Sequence, residues 1–237
     1  MNYMLDLWTL QAINHWVASS EFLTNQVLLF NEADIPDLVF VSIIVALWFY
    51  QPVRAENSKL YKKRALLTFL AFLPTYLIAR IIQTLAHRPR PIFDIPLEIV
   101  GDAKIWEATK LSFSNWGSFP SDHAALFLVV TTIVFSLNRR LGVGALILSL
   151  YFSFLRVSYG YHWPSDILGG AILGIIVTVI FLKLAPKLNA PLENLLHWGG
   201  KHSPALYTGA FMLLADMSQG FNYLRHIGHL FKVQFFH

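Results

Sequence analysis

Between Asp166 and Lys183 the chain carries no charged residue. With its flanks, Pro164 to Ala185 has the length, about 20 residues, that takes an α-helix across the hydrocarbon of a bilayer. No water reaches the backbone there, so each amide must be paired within the segment, and an isolated stretch of this kind folds as a helix. Four more apolar segments precede it, at 36–51, 65–86, 120–137 and 142–159. Composition agrees: 55% of the 237 residues are hydrophobic and 14% are charged, against about 25% charged in a soluble domain. Mean hydropathy is +0.51. These features predict a single all-α domain, a helical bundle embedded in a membrane with five to six transmembrane helices.

The rest of the chain predicts the margins of that bundle. In residues 5–30, Leu5, Trp8, Leu10, Ile13 and Trp16 alternate with Asp6, Gln11, Asn14 and Glu21. That spacing suits an amphipathic helix lying in the interface, at least over the first half. The core of the domain falls at 35–187, and 188–237 has an uncertain course. Ala205–Met217 is apolar but short, and Arg225 to Phe236 reads as a basic, aromatic interfacial helix. Pro164 suits the first turn of its helix, where a missing N–H costs nothing. Gly170 and Gly174 form a small-residue face for close helix packing. No basic n-region precedes Arg54, so no cleaved signal peptide is expected.

Charge predicts the orientation. Arg54, Lys59, Lys62, Lys63 and Arg64 crowd one loop, Arg139 and Arg140 another, and Lys183 and Lys187 flank the last span on the same side. The positive-inside rule makes that side cytoplasmic. The excess of 18 Lys+Arg over 14 Asp+Glu therefore reports topology, and no nucleic-acid partner is expected. The absence of cysteine excludes disulfides, thiol catalysis and Cys-based metal sites. The polar stretch from 88 to 119 then faces outward, with Trp106 and Trp116 as expected interface anchors. A loop this long is usually functional.

Three clusters of ionisable residues sit at the outer ends of these helices: Arg88-Pro89-Arg90-Pro91, Pro120-Ser121-Asp122-His123, and Arg156 with His162 and Asp166. Such groups are costly at a membrane, which makes them a functional-site hypothesis. Asp166 lies four residues after His162 across a helix start, within reach of one imidazole nitrogen. A carboxylate on Nδ1–H would leave Nε2 with its lone pair outward, as in an oriented base or nucleophile. Arginine offers a planar fork of donors suited to phosphate oxygens. Ser121 and the N–H groups at the start of its helix add more. Together these residues predict phosphoryl transfer, in which positioning and charge stabilisation do most of the catalysis. Arginines can supply the positive charge, so no metal or other cofactor is expected.

These residues resemble the motifs of the type 2 phosphatidic acid phosphatase superfamily, K-x6-R-P, P-S-G-H and S-R-x5-H-x3-D. Here they read Gln83-x6-Arg90-Pro91, Pro120-Ser121-Asp122-His123 and Leu155-Arg156-x5-His162-x3-Asp166. The resemblance covers about residues 35–187. It implies that His162 attacks phosphorus to form a phosphohistidine and that Asp166 orients it. His123 would protonate the leaving oxygen and then activate water. Arg90, Arg156, Ser121 and the Asp122 backbone N–H would bind phosphate, with Arg88 as an accessory contact and Gln83 at the position of the family's Lys.

Three departures stand out. Gln83 replaces a phosphate-binding cation, for which Arg80, one turn earlier, is a distant substitute. Leu155 removes a hydroxyl. Asp122 replaces glycine, where a carboxylate would repel phosphate unless it points away. Pro-Ser-Asp-His, the His162-Trp-Pro-Ser-Asp166 string and the N-terminal helix are most similar to the bacitracin-resistance type undecaprenyl-diphosphate phosphatases. The implied substrate is a lipid phosphate or diphosphate, above all undecaprenyl diphosphate, held among membrane lipids at the outer face of a bacterial inner (plasma) membrane. Alternatives are a phosphatidylglycerophosphate or phosphatidate phosphatase, a lipid A phosphotransferase, and, outside enzymes, a non-catalytic lipid-binding protein. A haloperoxidase, to which the superfamily extends, usually sits in a soluble helical protein. The sequence sets no oligomeric state.

Overall fold

A computed structural model describes residues 4–32, 35–50, 55–99 and 117–218. Nine helices make up these residues: α1 (Met4–Ala18), α2 (Glu21–Glu32), α3 (Ile35–Phe49), α4 (Ala55–Ala86), α5 (Pro91–Asp94), α6 (Asp122–Leu137), α7 (Arg139–Ser158), α8 (Pro164–Lys201) and α9 (Ser203–Ser218). Among the described residues three stretches are long and apolar enough to cross a membrane, Ser58–Asp94, Arg139–Ser158 and Pro164–Lys201, and the helices Ile35–Phe49 and Asp122–Leu137 are shorter and apolar. The protein is an all-α integral membrane bundle.

α6 is its centre. Most of this helix is buried, from Asp122 and Ala124 to Val134, with α4, α7, α8 and α3 packed around it. In lipid, close packing rather than hydrophobicity joins helices, so small residues matter. A Cβ on Gly170 would run into the Ser121 carbonyl, and one on Gly174 into the Ala125 carbonyl. These two glycines let α8 lie directly against α6. On the other flank the Thr131 and Ser149 hydroxyls meet at 2.8 Å, fully buried, and tie α6 to α7. Phe40 stacks on Phe127 at 4.3 Å and seats α3 against the same helix.

Several boundaries differ from the sequence expectation. The basic stretch before residue 65 belongs to α4, which runs 32 residues. The last apolar segment does not stop at Ala185. α8 continues through Pro186 and Pro191 to Lys201, 38 residues in all. About 57 Å at the standard rise exceeds the ~30 Å of hydrocarbon, so its C-terminal part extends beyond the hydrocarbon. There Lys63 of α4 holds Asn189 at 2.5 Å and Glu193 at 2.6 Å. Residues 203–218 form α9. The expected terminal helix at 225–236, Trp106 and Trp116 lie outside the described residues.

Residues 5–30 form two helices rather than one. The break at Ser19–Ser20 is held by Ser19 Oγ donating to the Trp16 carbonyl at 2.7 Å. α1 exposes Met4, Leu5, Trp8 and Trp16 and buries Leu10, Asn14 and Val17. Asn14 donates to the Ser158 carbonyl at 2.9 Å and accepts from the Glu98 N–H at 2.8 Å. This fixes α1 over the end of α7.

Candidate active site

Chain reversals bring four helix ends to one face of the bundle. α7 ends at Ser158, and Gly160, with φ of +79°, makes the left-handed turn that sends residues 161–163 back across the site. The Gly160 carbonyl accepts from the Ile92 N–H at 3.0 Å, while Ser118 N–H donates to the Arg88 carbonyl at 2.8 Å. The loops after α4, before α6 and before α8 are therefore one hydrogen-bonded unit. The Ser121 N–H donates to the Asp166 carbonyl at 3.0 Å, joining the starts of α6 and α8.

His162 is buried, 1% exposed. Its Nδ1 lies 3.0 Å from the Ser118 carbonyl oxygen. A carbonyl can only accept, so Nδ1 carries the proton and Nε2 keeps its lone pair. Arg90 Nη1 approaches that nitrogen at 3.3 Å. Burial, and after it the Arg90 charge, push His162 down to about 4. The imidazole is thus neutral at ordinary pH, with Nε2 the basic atom.

Asp166 lies beside this ring, as its spacing predicts, at ion-pair distance. Asp166 Oδ2 is 3.7 Å from Nδ1, beyond a hydrogen bond, and instead accepts from the Trp163 N–H at 2.8 Å. Its Oδ1 takes Arg88 Nη1 at 2.5 Å. Asp166 holds the turn on which the imidazole rides, and a main-chain carbonyl sets the tautomer.

Arg88 continues the chain outward. Its Nη1 also reaches Ser165 Oγ at 2.7 Å, and its Nη2 reaches Asp6 Oδ2 of α1 at 2.5 Å. Asp6 further accepts from the Ser165 N–H at 3.0 Å and from the Ser165 hydroxyl at 2.5 Å. Burial works against its charge, but the hydrogen bonds from Ser165 and Arg88 leave the Asp6 carboxyl below its ordinary value. The N-terminal helix, outside the family motifs, thereby becomes part of the support of the turn that carries His162.

His123 has different neighbours. Asp122 Oδ1 lies 2.9 Å from its Nδ1 and Asp37 Oδ2 lies 3.3 Å from its Nε2. A carboxylate at each ring nitrogen suits the imidazolium, both of whose N–H groups donate. Arg156, 3% exposed, is 3.6 Å from the same Asp37 oxygen, and its Nε has no hydrogen-bond partner among the described residues. Buried guanidinium donors are normally satisfied, so one without a full set fits an anionic ligand.

Two of the three departures from the family motifs, Gln83 and Asp122, meet at Arg80. Its Nη1 donates to Gln83 Oε1 at 2.9 Å and its Nη2 reaches Asp122 Oδ2 at 2.7 Å. The distance that made Arg80 a poor substitute is spanned by its long side chain. Gln83 in turn donates to the Pro120 carbonyl at 2.8 Å, so its amide braces the loop before α6. Asp122 does not point away: Oδ1 is 3.9 Å from His162 Nε2. Its charge is offset by Arg80 rather than removed from the cleft. Ser121 caps α6, its oxygen accepting from the Ala124 N–H at 3.3 Å. Leu155 is simply buried.

Asp122, His123 and His162 place ligand atoms within 4.8 Å of one another, a spacing a metal ion could use. Arg80 and Arg90 press on the same space, however, and the donor set as a whole suits an anion. Asp37, Asp6 and the Ser118 carbonyl were not found from sequence. Only Asp37 left a signal, as an acid in the first turn of an otherwise apolar span.

A membrane bundle with a buried histidine turned toward arginines at one face describes a class of phosphate-handling enzymes. The chain belongs to the PAP2 superfamily, whose family model matches residues 62–190. It is 26% identical over 151 residues to the undecaprenyl-diphosphatase BcrC of Bacillus subtilis (strain 168), covering 64% of this chain and 70% of that protein. Two shorter matches span about a third of their proteins. The bacitracin transport permease protein BcrC of Bacillus licheniformis is 35% identical over 72 residues, 30% of this chain and 36% of that protein. The lipid A 1-diphosphate synthase of Escherichia coli (strain K12) is 33% identical over 70 residues, 29% of this chain and 30% of that protein. No solved structure matches the chain at a significant level.

Proposed function

We propose that this protein is a membrane lipid diphosphatase that removes the terminal phosphate of undecaprenyl diphosphate through a phosphohistidine on His162. The observation that carries the reading is the pair of contacts on that ring. Nδ1 is committed to a carbonyl at 3.0 Å, and Nε2 faces Arg90 at 3.3 Å. The similarity to an undecaprenyl-diphosphatase over most of that protein's length supports the choice of lipid.

In the proposed reaction the Nε2 lone pair attacks the terminal phosphorus. A P–N bond forms as the bridging P–O bond breaks in line with it. Arg90 and Arg156 take the charge on the phosphoryl oxygens, with Arg80 at the edge of the group and the N–H groups at the start of α6 as further donors. His123 gives its proton to the departing lipid phosphate, then accepts one from the water that cleaves the P–N bond. The products are undecaprenyl phosphate and inorganic phosphate. Asp37 and Asp122 hold His123, and Asp166, Arg88 and Asp6 hold the His162 turn.

The cations at the far ends of α4, α7 and α8 support an orientation with the catalytic face outside a bacterial plasma membrane. There an isoprenoid tail can stay in lipid while its head group meets water. Phosphate release by detergent-purified protein from undecaprenyl diphosphate, phosphatidate and phosphatidylglycerophosphate, with EDTA present, tests the reading. Release should be fastest from undecaprenyl diphosphate, survive EDTA and vanish in His162→Ala. A different preferred lipid would reassign the substrate. Release from no lipid above the His162→Ala level would contradict the catalytic reading and favour a lipid-binding role.

A further inference from the structure

A second lipid-shaped site lies at the opposite end of the bundle. The α4 lysines Lys59 and Lys62, together with His197 and Ser203, line a cavity of about 640 Å³ between α4, α8 and the start of α9. Lys62 precedes Gln83 by 21 residues on one helix, about 32 Å of rise. That is one hydrocarbon thickness from the catalytic face, which puts the cavity at the head-group level of the other leaflet. Glu193 also lines it, but Lys63 takes that carboxylate at 2.6 Å. The charge left on the wall is positive.

This cavity shares Trp48, Leu206 and Tyr207 with a groove of about 380 Å³, lined otherwise by apolar residues such as Ile44, Phe69 and Leu214. Leu206, Ala210 and Leu214 recur every four residues, so one stripe of α9 forms a wall of the groove. Tyr207 stands at the junction, edge-on to Trp48 at 6.4 Å and stacked on Phe49 at 6.1 Å. Lys62 Nζ sits 5.8 Å from the Trp48 ring. A basic chamber at the membrane surface thus adjoins, across a shared wall that includes Trp48 and Tyr207, an apolar groove between α3, α4 and α9. Neither half alone names an occupant. Their sequence, cation then aromatic then hydrocarbon, is that of an anionic phospholipid.

We infer that this chamber and groove bind an anionic phospholipid of the leaflet opposite the catalytic site, its phosphate on Lys59 and Lys62 and one acyl chain along α9. The catalytic residues take no part, so the site is independent of the proposed reaction.

The test is thermal unfolding of the full-length protein in nonionic detergent, titrated with dioleoylphosphatidylglycerol or with soluble glycerol phosphate. Wild type and His162→Ala should be stabilised by the lipid at the same concentration, and glycerol phosphate should do nothing. Lys59→Gln/Lys62→Gln should need roughly 30-fold more lipid, about fivefold per lysine. Ala210→Trp, which fills the groove and leaves the lysines, should lose the shift as well. Both variants should keep wild-type phosphate release, which shows that they fold. Equal lipid midpoints for wild type and the lysine variant would overturn the inference. So would a shift by glycerol phosphate equal to that of the lipid, which would make the chamber a plain anion site.

Discussion

Two helix starts meet in the active site, and each supplies one histidine and one aspartate. At α8, His162 is 1% exposed, sees a carbonyl and an arginine, and has its aspartate turned to the backbone and Arg88. At α6, the His123 side chain is 15% exposed, sees two carboxylates, and has its aspartate in the cleft. The same residue types are thereby set up for opposite tasks. The first environment keeps a lone pair available and the second keeps a proton available. In the proposed mechanism, environment and not residue type divides nucleophile from acid.

Exchanging or removing these environments should separate the two roles. Among variants that keep His162, the largest effect is expected from His123→Asn, which removes the proton donor. Phosphate release should fall by about 10³-fold, the scale of a general acid. A loss of less than tenfold would break the contrast between the two histidines. Asp6→Ala should lower kcat by up to about 10²-fold with KM nearly unchanged, because it frees Arg88 and lets the His162 turn shift. Asp6→Asn keeps an acceptor for Ser165 and should recover most of that loss. A variant that changes KM alone would show that Asp6 does not position the turn.

Asp122→Asn tests the other aspartate. Without its charge the cleft should hold anions better and Arg80 should be released toward them. Inhibition by orthovanadate should tighten by about tenfold, as expected for removing one like charge at partly screened range. Unchanged inhibition would mean that Arg80 already cancels Asp122. The smallest effect within the working range is that of pH on His162. Its value of about 4 lies below the ordinary 6.5, so the ring stays neutral until pH falls through about 4. The acid limb of kcat/KM should lie near that pH in the free enzyme, not near 6.5. Stability contributed by the same ring should be lost in the window from 6.5 down to 4, where only the unfolded chain takes the proton.

Much of this site was legible in the sequence because its ionisable residues fall at the ends of apolar segments. Arg90, Ser121, Asp122, His123, Arg156, His162 and Asp166 all meet as those ends meet. What escaped depends on distance across the fold. Asp37 faces His123 from another helix, and Asp6 faces Ser165 from 159 residues away. Ser118 acts through its carbonyl, which no residue identity reveals. Spacing gave the reach of Asp166 to His162 but not its closer partners, the Trp163 N–H and Arg88. Hydropathy likewise located the spans but not the helix ends. It reports the membrane, whereas α8 continues past it on contacts such as Lys63 with Asn189 and Glu193.

The central claim is that the phosphoryl group rests on His162 between the two half-reactions. Undecaprenyl diphosphate labelled in its terminal phosphate, mixed with enzyme and quenched in alkali within one turnover, tests it directly. The label should appear on the peptide that contains His162 and disappear in His162→Ala. Label on His123, or full release of labelled phosphate with no labelled peptide at any time, would contradict the account.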